Sequence, residues 1–166
     1  MKTISLIAAT FLSVALCSPV VKAGRVPFNG NWEANEVTTF FDGDPPIGFF
    51  SNGQGTATTT ELGQLALYNT ELVDLATLEG AGRARFIAAN GESIFAYGTG
   101  VAVATPEPNV FHITETWIVT GGTGQYADAR GSFGVDRTID LSTGDTSGTF
   151  NGVIIVRGNH SSPGSR

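Results

Sequence analysis

The fold is decided by the stretch Trp117-Ile118-Val119-Thr120-Gly121-Gly122-Thr123-Gly124-Gln125-Tyr126-Ala127-Asp128-Ala129-Arg130-Gly131. Its four glycines are Gly121, Gly122, Gly124 and Gly131. The first three can adopt the positive φ values that a tight connection between strands needs. Trp117 before the turn and Tyr126 after it are residues that favour β-strands. The stretch therefore predicts a hairpin corner between two antiparallel strands, with all four glycines as structural turn positions.

The remaining chain predicts further strands and no helix. Gly, Thr, Val, Phe and Ala dominate, and no window after residue 23 has a helical periodicity. Eight strands are predicted, at 29–41, 54–61, 64–75, 82–89, 92–104, 110–120, 126–140 and 145–157. Consecutive strands with short connections favour an all-β, eight-stranded antiparallel up-and-down barrel, because closure removes exposed sheet edges. A β-sandwich of the same strands is the alternative.

Two segments resemble known families. The corner Thr-Gly-Gly-Thr-Gly, followed by an aromatic residue and Ala-Arg-Gly, is similar to that of the dirigent proteins and the allene oxide cyclase barrels. The opening Trp32-Glu33-Ala34-Asn35-Glu36, followed by Pro45 and Pro46, resembles the first strand of plant allene oxide cyclases. The resemblance implies a divergent member of this barrel superfamily, with Glu33 and Asn35 lining a cavity, and a homotrimer.

The N-terminal segment has the pattern of a secretory signal peptide. Lys2 precedes a mostly apolar run from Ile4 to Leu16, and small residues end at Ala23. This apolar run is too short to span a membrane, so we expect cleavage after Ala23 and a secreted or extracytoplasmic protein. The expected domains are a signal peptide at 1–23, a single barrel at 24–158 and a tail at 159–166. Asn159-His160-Ser161 fits the acceptor pattern for N-glycosylation.

Cysteine and charge exclude several classes of function. Cys17 lies in the segment to be removed, and Leu16 before it does not fit a lipoprotein signal, so we expect no membrane anchor. Without residues 1–23 the chain has seven arginines against fifteen acids, a formal charge of −8, which disfavours nucleic acid. His112 and His160 are too far apart for metal-ligand spacing, and no cofactor motif is present.

Glu33 and Asn35 are the first candidates for chemistry. In a strand they share one face, with Trp32 and Ala34 on the other. If that face points inward, a carboxylate in an apolar barrel could act as a general acid or base, and Asn35 could hold a substrate oxygen. If it points outward, both residues are ordinary solvated side chains. The resemblance favours the inward orientation and a catalytic role for both.

Acidic residues also interrupt two apolar strand faces. Glu115 shares its face with Phe111, Ile113, Trp117 and Val119, and Asn69 and Glu71 share theirs with leucines and Val73. A buried carboxylate needs a partner, which Arg83 or Arg85 could supply; His112, on the opposite face from Glu115, should be exposed. The candidate ligand-binding residues are Asn69, Glu71, Tyr97, Glu115 and Trp117. The structural alternative for each glutamate is an ion pair or a position at the rim of the barrel.

Three functions fit these observations. The first is a dirigent-like barrel that binds a small apolar or aromatic molecule. The second is an isomerase or cyclase of the allene oxide cyclase type, which controls the conformation of its substrate. The third is a structural surface protein whose barrel is filled by its own side chains. The aromatic residues expected to line a cavity are Phe49, Phe50, Tyr68, Phe86, Phe95, Tyr97, Phe111 and Trp117.

Overall fold

The computed structural model of the protein describes residues 24–156. Several sequence predictions lie outside the described residues, namely the signal peptide with Cys17, the acceptor motif at Asn159, His160 and the tail. They stay predictions. None of the described residues forms a helix long and apolar enough to cross a membrane.

The described region consists of nine β-strands and one short 3-10 turn. The strands are β1 Gly24–Pro27, β2 Gly30–Phe40, β3 Gly48–Thr59, β4 Gly63–Asp74, β5 Glu79–Ala88, β6 Ser93–Ala104, β7 Val110–Gly122, β8 Arg130–Asp140 and β9 Asp145–Val156. The 3-10 turn is Gly124–Tyr126, between β7 and β8. Inward and outward residues alternate along the strands, as the period of two requires.

Strands β2 to β9 form a closed antiparallel barrel of eight strands. Each pairs with the next in sequence, and β9 also pairs with β2, from Gly30 opposite Phe150 to Asn35 opposite Asp145. The predicted barrel is therefore confirmed, and the sandwich alternative is wrong because both edges of the sheet are joined. The extra strand β1 pairs with the end of β9, from Gly24 opposite Val156 to Pro27 opposite Val153.

The glycine corner joins β7 to β8 as predicted, with one correction. Gly121, Gly124 and Gly131 have φ values of +138°, +56° and +146°. Gly122 does not have a positive φ; a Cβ there would lie 2.2 Å from the Ser93 carbonyl oxygen, so contact is what excludes a side chain. Tyr126 lies in the 3-10 turn and is buried, so the predicted strand 126–140 begins at Arg130 instead.

Strand β3 is longer than predicted. The expected strand at 54–61 begins at Gly48, because Phe49, Ser51 and Gly53 continue the inward alternation. Each pairs with an inward residue of β4, namely Val73, Glu71 and Asn69. The additional half of β3 therefore supplies part of the barrel wall beside the polar residues of β4.

Candidate functional site

The inward side chains divide the barrel into three layers along its axis. In β8, Phe133 and Val135 lie at one end, Arg137 lies in the middle, and Ile139 lies toward the other end. The antiparallel neighbour β7 repeats this order in reverse, with Glu115 in the middle layer, where it contacts Arg137. Aromatic, polar and apolar side chains are thereby stacked above one another inside one sheet.

The first layer is a closed end filled by aromatic rings. Phe28, which is fully buried, lies with its ring centroid 5.3 Å from Phe86, 5.0 Å from Phe133 and 4.9 Å from Phe150. Edge and tilted contacts at these distances are favourable arrangements of aromatic pairs. The Phe28 backbone N–H donates to the Gly152 carbonyl at 2.9 Å, so the segment after β1 holds this ring in place.

The middle layer is a buried ionic group, called here the Arg137 cluster, which consists of Arg137, Glu36, Glu71 and Glu115. Arg137 Nη1 lies 2.8 Å from Glu36 Oε1, and its Nη2 lies 2.7 Å from Glu71 Oε2 and 3.0 Å from Glu115 Oε1. The Arg137 side chain is only 2% exposed. One guanidinium thus faces three carboxyl groups away from solvent, which is costly unless every group is paired.

Four further side chains form hydrogen bonds with the cluster, although Asn69 Oδ1 itself has no hydrogen-bond partner among the described residues. Ser51 Oγ donates to Glu36 Oε2 at 2.6 Å, and Trp117 Nε1 donates to Glu115 Oε2 at 2.9 Å. The amide of Asn69 donates to Glu36 Oε1 at 3.2 Å and to Glu71 Oε1 at 3.0 Å. Thr146 Oγ1 accepts from Arg137 Nη1 at 3.2 Å. All six carboxyl oxygens of the cluster therefore accept at least one hydrogen bond.

Glycines on the neighbouring strands make room for these side chains. A Cβ at Gly82 would lie 2.6 Å from Glu71 Cγ, and one at Gly100 would lie 2.5 Å from Glu115 Cγ. At Gly98 it would lie 2.2 Å from the Trp117 ring. Real Cβ atoms do not approach this closely, so the bare backbone of β5 and β6 is what lets the polar layer fit across the barrel.

Burial sets the protonation of the cluster. Desolvation raises the pKa of Glu71 to about 8; the charge of Arg137 opposes this change, and Glu115 and Glu36 add to it. For Arg137, burial disfavours the cation, but the three glutamates outweigh it and raise the pKa of Arg137. At neutral pH the cluster therefore holds a permanent cation and one carboxyl group that keeps its proton.

The third layer is an apolar cavity of about 60 Å³ above the cluster, called here the mouth cavity. Its apolar lining residues are Phe49, Val73, Leu75, Leu78, Ala102, Phe111, Ile113, Ile139 and Leu141. The cavity extends from loop residues such as Leu75 and Leu141 down to the Arg137 cluster, whose four members line its floor. A smaller cavity of about 20 Å³ lies on the other side of the cluster, beside Phe86 and Phe133, so the mouth holds the larger free space.

The structure brings together four of the predicted ligand-binding residues. Asn69, Glu71, Glu115 and Trp117 are all buried and meet at the Arg137 cluster. Asn69, Glu71 and Glu115 stand out in the sequence as polar residues within apolar strand faces. Tyr97, the fifth candidate, is 46% exposed and lies on the outer face of β6, so it does not line the cavity.

The prediction that Glu33 and Asn35 line a cavity is wrong. Both lie on the exposed face of β2, where Asn35 Nδ2 donates to the Thr143 carbonyl at 3.0 Å and to Asp145 Oδ1 at 3.2 Å. Glu36 points into the barrel instead and is 5% exposed. It shares its face with the buried Trp32, and this alternation was the signal that sequence reasoning missed.

The partner predicted for the buried glutamates is also wrong. Arg83 and Arg85 are exposed on the outer face of β5, and Arg85 Nε donates to Ser93 Oγ at 3.1 Å. Arg137 supplies the charge instead. It interrupts the apolar face of β8 between Val135 and Ile139, so the same criterion that singled out Glu115 could have found it.

The predicted aromatic lining is correct for half of its members. Phe49, Phe86, Phe111 and Trp117 face the interior, whereas Phe50, Tyr68, Phe95 and Tyr97 lie on the exposed outer face. Strand alternation assigns these four outward positions once the inward residues of β3, β4 and β6 are known. His112 lies partly exposed as expected, with Nε2 3.0 Å from Asp136 Oδ1.

The solved structures similar to this barrel include two dirigent proteins. The pterocarpan synthase dirigent protein PsPTS1 matches with a TM-score of 0.62 and 10% identity over 84% of this chain and 100% of that chain. The pterocarpan synthase dirigent protein GePTS1 matches with a TM-score of 0.60 and 11% identity, over 96% and 100% respectively. The chain has the dirigent barrel fold. No family model matches the sequence, and no curated protein gives a significant match.

Proposed function

We propose that this dirigent-like barrel binds a small apolar or aromatic molecule in the mouth cavity. The observation that carries the proposal is the asymmetry of the interior, in which aromatic rings fill one end while apolar walls enclose free space at the other. Ligand sites are typically concave, mostly apolar and supplied with a few convergent polar groups. The mouth cavity has apolar walls and a floor that carries the Arg137 cluster.

The apolar part of the ligand would contact the walls. Phe49 of β3 and Phe111 and Ile113 of β7 line the space above Glu115. Phe111 lies four residues before Glu115 in β7, which is roughly 10 Å of depth after strand tilt is allowed for. Such a depth suits a ring or a short chain, with the polar end of the ligand toward the floor.

A neutral fluorescent probe tests this proposal. Nile red should bind with increased fluorescence, and Ala102→Trp should abolish the signal because the indole would occupy the mouth cavity that Ala102 lines. Val103→Trp is the matched control, since Val103 is the next residue of β6 and is 60% exposed on the outer face. Thermal unfolding of both variants verifies that each is folded.

The outcomes are distinct. Binding that survives in Val103→Trp and is lost in a folded Ala102→Trp supports the mouth cavity as the site. If the probe does not bind to the unaltered protein, or binds equally well to both variants, the proposal fails, and a purely structural barrel becomes the better account.

A second function, that of an isomerase or cyclase, is favoured by the protonated Glu71. Its carboxyl group lines the mouth cavity and its pKa of about 8 suits proton transfer near neutral pH. Glu36 and Glu115 lie in the same floor. In this reading Glu71 and Glu36 take the role that sequence resemblance to the allene oxide cyclases gave to Glu33 and Asn35.

Recovery of the ligand separates binding from catalysis. If the protein is an enzyme of this kind, a ligand incubated with it in D2O should be recovered in a rearranged form or with deuterium on carbon. NMR of the recovered ligand measures both changes. Glu71→Gln should stop that reaction without emptying the cavity. A ligand that returns unchanged restricts the function to binding.

Export and assembly are also proposed. The signal pattern supports secretion after cleavage at Ala23, which intact-mass measurement of the exported protein would test.

The family resemblance supports a homotrimer, and the outer face of β3, β4, β6 and β7 carries exposed apolar residues that an interface would cover. These are Phe50, Leu72, Tyr97, Val101 and Ile118. Light scattering on the purified protein would determine the oligomeric state.

A further inference from the structure

We propose that the mouth cavity selects amphiphiles whose polar end is a protonated amine, and that it rejects those whose polar end is a carboxylate. This inference rests on the proposed binding function and adds the chemistry of the ligand's polar end. It follows from a count of hydrogen-bond donors and charges in the floor of the cavity.

Four of the five N–H donors of Arg137 form hydrogen bonds within the cluster. Its Nε donates to Glu115 Oε1 at 3.1 Å. Nη1 donates to Glu36 Oε1 and Thr146 Oγ1, at 2.8 and 3.2 Å. Nη2 lies 2.7 Å from Glu71 Oε2 and 3.0 Å from Glu115 Oε1. An arginine carries five N–H donors, and the fifth belongs to Nη2, which also lies beside Glu115 Oε1 as an ion pair.

The other donors of the polar layer are also engaged. The amide of Asn69 gives its two N–H bonds to Glu36 and Glu71. Ser51 Oγ and Trp117 Nε1 donate to Glu36 and Glu115. Within the polar layer of residues 24–156, the donors that remain for a ligand are therefore the proton of the Glu71 carboxyl group and the second N–H of Arg137 Nη2, which already faces Glu115. The oxygens keep spare lone pairs, because each carboxyl oxygen can accept two hydrogen bonds.

The charges in the floor of the cavity also favour an amine over a carboxylate. Three carboxyl groups surround one guanidinium, and among the described residues that line the mouth cavity Arg137 is the sole cation. Even when one carboxyl group holds a proton, the two others outnumber the guanidinium. A carboxylate ligand would face excess negative charge with few donors to bind it, whereas an ammonium group would find acceptors and an opposite charge.

Glu71 couples this selectivity to pH. It faces Arg137 from β8, Glu115 from β7, Glu36 from β2 and Asn69 from its own strand, while β5 presents the uncharged Gly82. A bound ammonium group favours the ionised form of Glu71, so binding should release a proton to solvent. Amine affinity should therefore increase as the pH rises through about 8, the pKa of Glu71.

Three ligands with the same chain and different polar ends test the inference. Octylamine, octan-1-ol and octanoate are titrated against the protein loaded with Nile red, at about pH 7 and about pH 9, where the amine stays protonated. We expect octylamine to displace the probe at roughly tenfold lower concentration than octan-1-ol, with octanoate the weakest competitor. Octylamine should improve at the higher pH, and octan-1-ol should not.

Two variants locate the effect. Glu71→Gln should remove the pH dependence of octylamine binding, while the control Glu33→Gln, on the outer face of β2, should keep it. Octanoate that competes as well as octylamine would overturn the inference while leaving the proposed binding function intact. Failure of Nile red to bind to the unaltered protein would overturn both. A pH dependence that persists in Glu71→Gln would remove the role given to that residue.

Discussion

The two ends of the barrel are built from the same strands but are filled in opposite ways. At the closed end Phe28 lies fully buried against the rings of Phe86, Phe133 and Phe150. At the mouth, apolar side chains line a cavity of about 60 Å³. The barrel therefore obtains its packing energy mainly at one end, and the other end is left available for a ligand.

The Arg137 cluster separates the two ends and costs stability to maintain. Burying charged groups is unfavourable, and the glycines at 82, 98 and 100 that accommodate the cluster add no packing of their own. A barrel that served only as a filled scaffold would be more stable with apolar residues in this layer. Four predictions test the difference between the layers, from the largest expected effect to the smallest.

Truncation at the closed end should have the largest effect. Phe28→Ala removes a fully buried ring with three aromatic contacts and should lower the free energy of unfolding by about 4 kcal/mol. Phe111→Ala, at the partly exposed mouth, should cost less than half as much. Urea unfolding measures both, and equal losses would mean that the ends do not differ in packing.

Removal of the central cation should have the second largest effect on stability. Arg137→Met keeps the approximate length of the side chain but leaves three buried carboxyl groups without their partner, which should cost about 3 kcal/mol at neutral pH. Arg83→Met is the control, because Arg83 is exposed on the outer face of β5. A loss for Arg137→Met no larger than that of the control would show that the cluster is not a coupled unit.

Filling the space that a glycine leaves should have a moderate effect. A Cβ at Gly98 would lie 2.2 Å from the Trp117 ring, so Gly98→Ala should displace the indole from Glu115 and cost about 2 kcal/mol. At Gly134 the nearest atom to an added Cβ is 3.8 Å away, so Gly134→Ala should leave the melting temperature unchanged or slightly raised. If both variants melt like the unaltered protein, close approach is not what requires Gly98.

Over a single pH unit, the pH dependence of stability should be the smallest of the four effects. The pKa of Glu71 is raised from 4.5 to about 8, so the folded state binds a proton that the unfolded state loses between these values. Stability should therefore fall as the pH rises through this window, by about 1.4 kcal/mol per pH unit at most. Glu71→Gln should remove this contribution, and Glu33→Gln should retain it. Parallel pH profiles for the two variants would contradict the assignment.

Sequence reasoning succeeded where a single strand carries the signal. The barrel follows from strand alternation and turn glycines, and Asn69, Glu71 and Glu115 stood out as polar residues on apolar faces. It failed where the inward face of a strand had to be chosen. In β2 both faces carry a glutamate, and the barrel buries Glu36, which shares its face with Trp32, rather than Glu33.

Pairing between distant strands was the other missing information. Arg137 lies 101 residues from Glu36 in sequence and 66 from Glu71, so no local pattern connects them. Arg83 and Arg85 were closer candidates in the chain, but their strand directs them outward. The members of such a cluster can be found from sequence one at a time, whereas their partnership depends on how the barrel closes.

The protonation of Glu71 is the most direct test of the whole account, because it requires a buried carboxyl group in the floor of the mouth cavity. Infrared spectroscopy resolves the carbonyl stretch of a protonated carboxyl group from that of a carboxylate. The account predicts a protonated carboxyl band at pH 7 that disappears as the pH rises past about 8, and that Glu71→Gln lacks. Absence of this band at pH 7, or its persistence in Glu71→Gln, would contradict it.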